Sequence, residues 1–273
     1  MQKNSPKVFI YIALPCEAKP VIEHFRLKKD TAINPFAVHL NQETCLTVTG
    51  IGKNAMAAGI AYTQALFAPV ENPVLFNIGI AGHKDQALGS LFLINKITDV
   101  DSKKSYYPPL VFDPPCATAG VQTAAKPQLD YGQPVLCDME ASAFYETAAR
   151  FSTGELIHCL KVVSDNKDAP AGAINPKQVT ALIAAHLPTV DAVIAQARVL
   201  TGQASLSVPP IYGQLLQRHR FTMSEKQQLK AMLCRAAVLT KDAAFKPDDN
   251  GADSGKEVLK RLARQLDETA FYL

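Results

Sequence analysis

The sequence predicts an α/β fold, with helices on both faces of a mixed, largely parallel sheet. Short apolar, β-rich runs alternate with stretches of helical spacing, and this order is typical of three-layer α/β/α domains. The chain has 273 residues, of which 48% are hydrophobic and 19% are charged. That balance excludes a disordered chain and suits one large core with a small appendage.

The first half of the domain is predicted from apolar runs and from the residues that end them. Pro15 ends the first strand, residues 41–43 join a hairpin, and the glycines of residues 79–82 are expected to form a tight turn. In chain order, the predicted elements are a strand at 8–14, a helix at 17–25, hairpin strands at 36–40 and 45–48, an alanine-rich helix at 53–67 and a strand at 73–78.

The second half contains a segment that resists assignment, residues 101–135, which carries six prolines. The elements around it follow the same alternation of strand and helix. They are a strand at 91–97, a helix at 140–151, a strand at 157–163 that closes on residues 164–166, and helices at 176–187 and 188–201.

A helical extension is predicted after the α/β domain, with the boundary between residues 203 and 204. Residues 202–210 have the composition of a linker. Thr222 and Glu225 form a possible capping box for a helix to about residue 239, and Asp253 or Ser254 caps a second helix to about residue 266. A segment this short is expected to pack on the main domain or on a neighbouring subunit.

Charge and hydropathy exclude two classes of partner. The formal net charge is +3 and the basic residues are scattered, whereas nucleic-acid binding needs a concentrated basic patch. No apolar run reaches the length of about 18 residues that a membrane span requires. Residues 1–14 also lack the basic region and the cleavage site of a signal peptide.

The cysteines and glycines give no sign of a metal or a nucleotide triphosphate. None of the six cysteines forms a CxxC pair or lies at metal-ligand spacing from a histidine, so they are predicted to be reduced core thiols of a cytoplasmic protein. The string GIGK at 50–53 lacks the spacing and the hydroxyl of a P-loop. No metal and no organic cofactor is expected.

Three acids lie at or beside the ends of predicted strands. Glu17 follows the first strand, Glu140 begins a helix, and Asp165 follows the strand at 157–163. Taken singly, Glu140 is explained by the helix dipole and Asp165 by an Asx turn. Because α/β sheets bind ligands beyond the carboxyl ends of their strands, the three acids together predict one site.

Five short motifs resemble the nucleoside phosphorylase superfamily, in particular its methylthioadenosine/S-adenosylhomocysteine nucleosidase branch. They occur in order within about residues 7–200, and they are LPCE at 14–17, TGIGKNA at 49–55, NIGIAG at 77–82, DMEA at 138–141 and SD at 164–165. The resemblance implies a nucleoside phosphorylase-like domain at 1–203. The segment 204–273 has no counterpart in a typical small nucleosidase.

The resemblance implies a role for each motif. Glu17 would hold and activate the attacking water, Asp165 would donate a proton or hydrogen bond to purine N7, and Ser164 would orient Asp165. Carboxylates suit this reaction because the ribose becomes positive and the departing purine becomes negative. The implied substrate-binding residues are Met139 and Glu140 at the ribose, Ala81 and Gly82 beside the base or ribose, and Ile80 at the same turn.

Departures from the family pattern bear on the reaction and on base specificity. Residues 77–82 hold no arginine and Lys161 stands where many relatives have one, so hydrolysis is favoured over phosphorolysis. Ile80 replaces a serine that commonly contacts the water or the ribose. The purine-stacking loop is expected near residues 121–125, without the usual phenylalanine.

The sequence therefore predicts a purine nucleosidase whose partner is a small adenosine-type nucleoside, with 5′-modified nucleosides among the candidates. Two alternatives stay open. One is a phosphate-dependent phosphorylase, and the other is a nucleoside-binding protein without catalysis, which Ile80 motivates. The resemblance also implies a homodimer.

Overall fold

The computed structural model describes residues 6–67, 70–171, 175–204, 209–240, 247–249 and 251–268. The chain divides into two compact units, Met1–Gly202 and Gln203–Leu273. The first unit has the predicted α/β architecture, and the described part of the second consists of helices. All six cysteines are free. By length and composition no single described helix could cross a membrane, although the pair Pro176–Ala184 and Leu187–Thr201, bent by 53°, meets that test jointly.

The strands of the described structure all belong to the first unit. They are β1 (Val8–Ile12), β2 (Lys28–Lys29), β3 (Ala37–Leu40), β4 (Thr44–Val48), β5 (Val74–Gly82), β6 (Leu91–Asp99), β7 (Ser105–Tyr106), β8 (Ala117–Thr123), β9 (Leu136–Asp138) and β10 (Ile157–Asp165).

The helices alternate with these strands and then continue into the second unit. They are α1 (Pro15–His24), α2 (Lys53–Leu66), α3 (Ala141–Ala148), α4 (Pro176–Ala184), α5 (Leu187–Ala204), α6 (Ile211–Arg218), α7 (Met223–Thr240) and α8 (Gly255–Glu268). A short 3-10 helix at Gly154–Leu156 leads into β10.

The sheet is mixed, and its centre is β5, which pairs in parallel with both β1 and β10. Beyond β1 lie the parallel strand β4 and the antiparallel strands β3 and β2. Beyond β10 lie β6, β8 and β9, and β9 returns to β5 through the pair Gly82 and Cys137. Because these strands close on themselves, the ends of β5, β9 and β10 meet at one place.

Helices cover both faces of the sheet, as predicted. On one face Val21 of α1, Ile183 of α4 and Val193 of α5 belong to one buried core. On the other face Met56 of α2 and Phe144 of α3 belong to a second core. The predicted hairpin is confirmed, since β3 and β4 pair antiparallel.

The tight turn predicted for residues 79–82 is wrong, because β5 runs through them to Gly82. The strand β10 likewise extends through Ser164 to Asp165, whereas the sequence predicted its end at residue 163. The two strands lie side by side, with Val163 opposite Ala81 and Asp165 opposite Gly82. Each strand supplies backbone hydrogen-bond partners to the other, so both continue beyond the point at which their apolar pattern stops.

Other boundaries differ by a few residues. The helix α1 begins at Pro15 rather than at residue 17, and α3 begins at Ala141, directly after Glu140. The unassigned segment 101–135 contains β7 and β8. The predicted linker overlaps the end of α5, and its residues 205–208 lie outside the described residues.

The second unit has a small apolar core of its own. Leu215 of α6, Leu233 of α7 and Leu262 of α8 are almost fully buried in it. The capping box before α7 is confirmed: the Thr222 N–H donates to Glu225 Oε2 at 2.8 Å, and the Glu225 N–H donates to Thr222 Oγ1 at 3.3 Å. The sequence analysis did not predict α6. Packing of this unit on the first domain or on another subunit stays a prediction.

Candidate active site

A cavity of about 170 Å³ lies at the carboxyl ends of β1, β5, β9 and β10. The closed arrangement of the strands explains why segments far apart in sequence converge there. Its lining includes every site residue singled out from the sequence, namely Glu17, Ile80, Ala81, Gly82, Met139, Glu140, Ser164 and Asp165. Their individual roles stay predictions.

Glu17 is held in place by two backbone N–H groups. It lies in the first turn of α1, and its carboxylate turns back to accept from the Leu14 N–H at 2.8 Å and from the Ile80 N–H at 2.9 Å. Burial raises the pKa of Glu17 to about 7, although both N–H groups and the ammonium of Lys161 oppose the rise. A carboxyl group that titrates near neutral pH suits a general base.

Glu140 connects the end of β9 with the start of α2. Its Oε1 accepts from the Gly52 N–H at 2.7 Å. Gly52 precedes α2 with φ +97°, a backbone conformation that favours glycine, so the amide is aimed at the carboxylate without strain. Burial raises the pKa of Glu140, and the ammonium of Lys161 opposes that rise.

A buried ion pair that the sequence analysis missed lies close to these acids. Lys161 Nζ is 2.8 Å from Asp138 Oδ2, and the two side chains are 1% and 0% exposed. Asp138 also accepts from Thr123 Oγ1 at 2.7 Å and from the Ala141 N–H at 2.8 Å. Burial alone would lower the pKa of Lys161, but Asp138 and Glu140 raise it overall, so the ammonium stays charged. A lysine within the apolar run of β10 was the available signal.

The glycines of β5 allow side chains to approach its backbone closely. A Cβ on Gly79 would lie 3.0 Å from Glu17 Oε1 and 3.5 Å from Lys161 Nζ. A Cβ on Gly82 would lie 2.7 Å from Asp165 Oδ2. These glycines therefore leave space for the acids rather than forming a turn.

Both carboxylate oxygens of Asp165 accept a hydrogen bond from a hydroxyl group. Ser164 Oγ donates to Oδ1 at 2.5 Å, and the Tyr131 hydroxyl donates to Oδ2 at 2.8 Å. The register of β10 shifts between Val163 and Asp165, which makes Ser164 the extra residue of a bulge. Bulges re-aim side chains and are common beside active sites. Tyr131 was missed because its proline-rich segment has no periodic pattern.

The prediction that the purine-stacking loop lies near residues 121–125 is wrong. Val121 and Thr123 belong to β8 and are buried, and Thr123 Oγ1 donates to Asp138 Oδ1. The part of this segment that lines the cavity comes later, at residues 127–129. Leu129 in this stretch is 62% exposed, and Ile51, which lines another part of the cavity, is 56% exposed.

The lining is acidic. It contains Glu17, Asp138, Glu140 and Asp165, and none of its residues is lysine or arginine. Such a site suits a neutral, hydroxyl-bearing ligand or one that becomes positive during reaction, and it offers an anion no basic side chain. Within the described ranges, no group of three or more histidine, cysteine or acidic side chains is arranged to hold a metal ion.

Comparison with known proteins gives matches among solved structures. No protein-family model and no curated protein matches the sequence. The 5′-methylthioadenosine nucleosidase of Arabidopsis thaliana matches with a TM-score of 0.56 and 17% identity, over 71% of this chain and 96% of its own.

Two bacterial structures match in the same way. The 5′-methylthioadenosine/S-adenosylhomocysteine nucleosidase of Neisseria meningitidis, in complex with methylthio-immucillin-A, has a TM-score of 0.53 and 16% identity over 68% of this chain and 97% of its own. A futalosine hydrolase mutant of Helicobacter pylori has a TM-score of 0.50 and 13% identity over 70% and 99%. The chain therefore has the same fold as these three proteins, and the resemblance drawn from the five motifs is confirmed at the level of the fold.

Proposed function

We propose that this chain is a purine nucleosidase that hydrolyses the N-glycosidic bond of an adenosine-type nucleoside. The observation that carries the proposal is that Glu17, Glu140 and Asp165 line one cavity of a nucleosidase fold. The similar proteins include nucleosidases named for 5′-methylthioadenosine and S-adenosylhomocysteine, which supports an adenosine-type substrate. A 5′-modified nucleoside is therefore the first to test.

In the proposed reaction, the bond between ribose C1′ and the purine breaks and its electron pair leaves with the base. Asp165 donates a proton to purine N7, so that the base leaves neutral. Glu140 accepts hydrogen bonds from the ribose hydroxyls and stabilises the positive charge on the sugar. Glu17 takes a proton from the water whose oxygen bonds to C1′.

Hydrolysis is favoured over phosphorolysis by the charge of the site. A phosphate would meet no lysine or arginine in the lining of the cavity. Lys161, the nearby cation, is engaged in its ion pair with Asp138 and is fully buried. It does not line the cavity, so it is not exposed to a phosphate there.

Ile80 motivates the alternative of a nucleoside-binding protein without catalysis, since its side chain cannot hold a water molecule. Its backbone N–H nevertheless donates to Glu17 Oε1 at 2.9 Å. The acid that would activate the water is thus held by the main chain, which does not depend on the side chain at residue 80. This contact supports catalysis.

The test is release of free base from adenosine, 5′-methylthioadenosine, S-adenosylhomocysteine and inosine, with and without inorganic phosphate. We expect release without phosphate, and loss of activity in Glu17→Gln. Glu23→Gln is the matched control, since Glu23 is exposed on the same helix. Release only with phosphate would indicate a phosphorylase, binding without release would indicate the non-catalytic alternative, and neither binding nor release would refute the proposal.

We carry two further expectations forward as proposals. The superfamily resemblance supports a homodimer, which sedimentation equilibrium would test. The six free cysteines support a cytoplasmic, reducing location, which fractionation of cells that produce the protein would test.

A further inference from the structure

Tyr131 connects the proline-rich segment to Asp165. Its hydroxyl donates to Asp165 Oδ2 at 2.8 Å, while Ser164 donates to Oδ1 at 2.5 Å. On its other side, Oδ2 faces Gly82, where an added Cβ would lie only 2.7 Å away. The carboxyl group of Asp165 is therefore confined on both of its oxygens.

The direction of the Tyr131 hydroxyl hydrogen is set by a second bond. The Ala171 N–H donates to the same phenol oxygen at 2.9 Å. A phenol oxygen has one hydrogen to donate, and an amide N–H can only be accepted. The Tyr131 hydrogen is thus left for Asp165, and the phenol links β10 to the segment that follows it.

The backbone at Tyr131 is in the left-handed region, with φ +46°. A residue with a side chain occupies that region at a cost in energy, and such conformations persist only where the surroundings impose them. Here the two hydrogen bonds of the phenol anchor the side chain. Strain of this kind is common at functional sites, which agrees with a role for the side chain.

Tyr131 approaches Asp165 from outside the main cavity. It lines a second cavity of about 60 Å³ together with His83, and it is not part of the lining of the first. The two cavities share Gly82, Gln128 and Cys137 as a common wall. A nucleoside could therefore enter the first cavity without displacing the Tyr131 hydroxyl.

We propose that Tyr131 is a positioning residue for Asp165, which fixes the carboxyl group toward the departing purine and stabilises the negative charge that forms on it. The inference rests on the proposed nucleosidase function. As the Asp165 O–H bond breaks and the N7–H bond forms, the carboxyl group becomes a carboxylate, and the hydroxyls of Tyr131 and Ser164 are already directed at its two oxygens. Donors that are in place before charge develops need no reorganisation.

The test compares Tyr131→Phe with Tyr107→Phe, which removes a hydroxyl from a tyrosine that is 64% exposed. The substrates are 5′-methylthioadenosine and 4-nitrophenyl riboside, whose leaving group needs no proton. With 5′-methylthioadenosine, Tyr131→Phe should lower kcat about 10- to 100-fold, as expected for the loss of one hydrogen bond to a charged group, with KM within about threefold. The 4-nitrophenyl riboside should lose less than about threefold, and Tyr107→Phe should match the wild type.

A double-variant comparison and a crystal structure complete the test. In an Asp165→Asn background, Tyr131→Phe should cause no further loss, because Tyr131 acts through Asp165. Equal losses on both substrates, or full additivity with Asp165→Asn, would overturn the proposal. If the wild type cleaves neither substrate, the proposed function fails. The crystal structure of Tyr131→Phe then decides whether Tyr131 positions Asp165. A turned or doubled Asp165 carboxyl group supports the inference, and an unchanged single orientation overturns it.

Discussion

Replacing Lys161 with methionine should destabilise the protein strongly, because Asp138 would keep a buried charge without its partner. The two groups are 2.8 Å apart, with 1% and 0% exposure of their side chains. Removing one partner of such a pair costs about 3–5 kcal/mol, whereas the whole free energy of unfolding of a domain is about 5–15 kcal/mol. Methionine retains most of the volume of the lysine chain, so the loss is chiefly electrostatic.

A second variant separates the charge from the shape. In Lys161→Met combined with Asp138→Asn, the new amide can accept from the Ala141 N–H and donate to the Thr123 hydroxyl, which are the present partners of Asp138. Replacing both members of a buried ion pair with uncharged residues often changes the stability little. We therefore expect the double variant to recover most of the loss, to within about 2 kcal/mol of the wild type.

The assay is urea denaturation at pH 7.5, with the free energy of unfolding taken for each variant. Lys167→Met is the matched control, because Lys167 and Asp85 form an exposed pair with 53% and 49% side-chain exposure, for which about 1 kcal/mol or less is expected. The reasoning is refuted if Lys161→Met is as stable as this control, or if the double variant is no more stable than Lys161→Met.

Three further predictions follow from individual side chains. Because burial raises the pKa of Glu17 to about 7 and only its carboxylate can accept a proton from water, kcat/KM should fall about tenfold per pH unit below pH 7; a rate independent of pH from 5 to 8 would contradict this role. Asp165→Asn should lower kcat on the purine nucleoside by about 10²–10⁴-fold with affinity within about tenfold, and turnover at the wild-type rate would return residues 164–165 to a structural role.

The third concerns His158, which is fully buried and whose pKa burial lowers from 6.5 to about 4. Below pH 6.5 the unfolded chain binds a proton that the native His158 does not bind, so acidification to pH 4 should remove about 3 kcal/mol of stability. Between urea titrations at pH 7.5 and pH 4, the free energy of unfolding of His158→Leu should fall by about 3 kcal/mol less than that of the wild type.

The sequence was sufficient for the order of elements and for the acids of the site. Strand and helix periods differ, so β1, α1, β4 and α2 could be located within a few residues from apolar spacing alone. Glu17 and Asp165 could be found because each follows a predicted strand, and Glu140 because it begins a predicted helix. Their convergence in space follows from the parallel pairing of β1, β5 and β10.

The sequence was insufficient wherever a tertiary neighbour decides the structure. Residues 79–82 carry a turn-like pattern, yet β10 pairs with them and extends β5 to Gly82. In the sequence, Lys161 is notable only as a lysine at a position where arginine was expected. Its distance to Asp138 in the structure is what identifies a buried ion pair. The contact between Tyr131 and Asp165 spans 34 residues and starts in a segment without periodicity, so no local pattern contains it.

The same contacts explain how the fold tolerates several buried acids around one lysine. Lys161 neutralises Asp138 directly, and the Gly52 N–H at the start of α2 supports Glu140. Glu17 has two backbone N–H groups, but its pKa of about 7 means that near neutral pH part of the population keeps the proton. That proton limits the charge repulsion inside the site, and its loss creates the base that the proposed reaction needs. Stability and activity should therefore change in opposite directions as Glu17 ionises, since above its usual range the native state binds a proton that the unfolded chain has already lost.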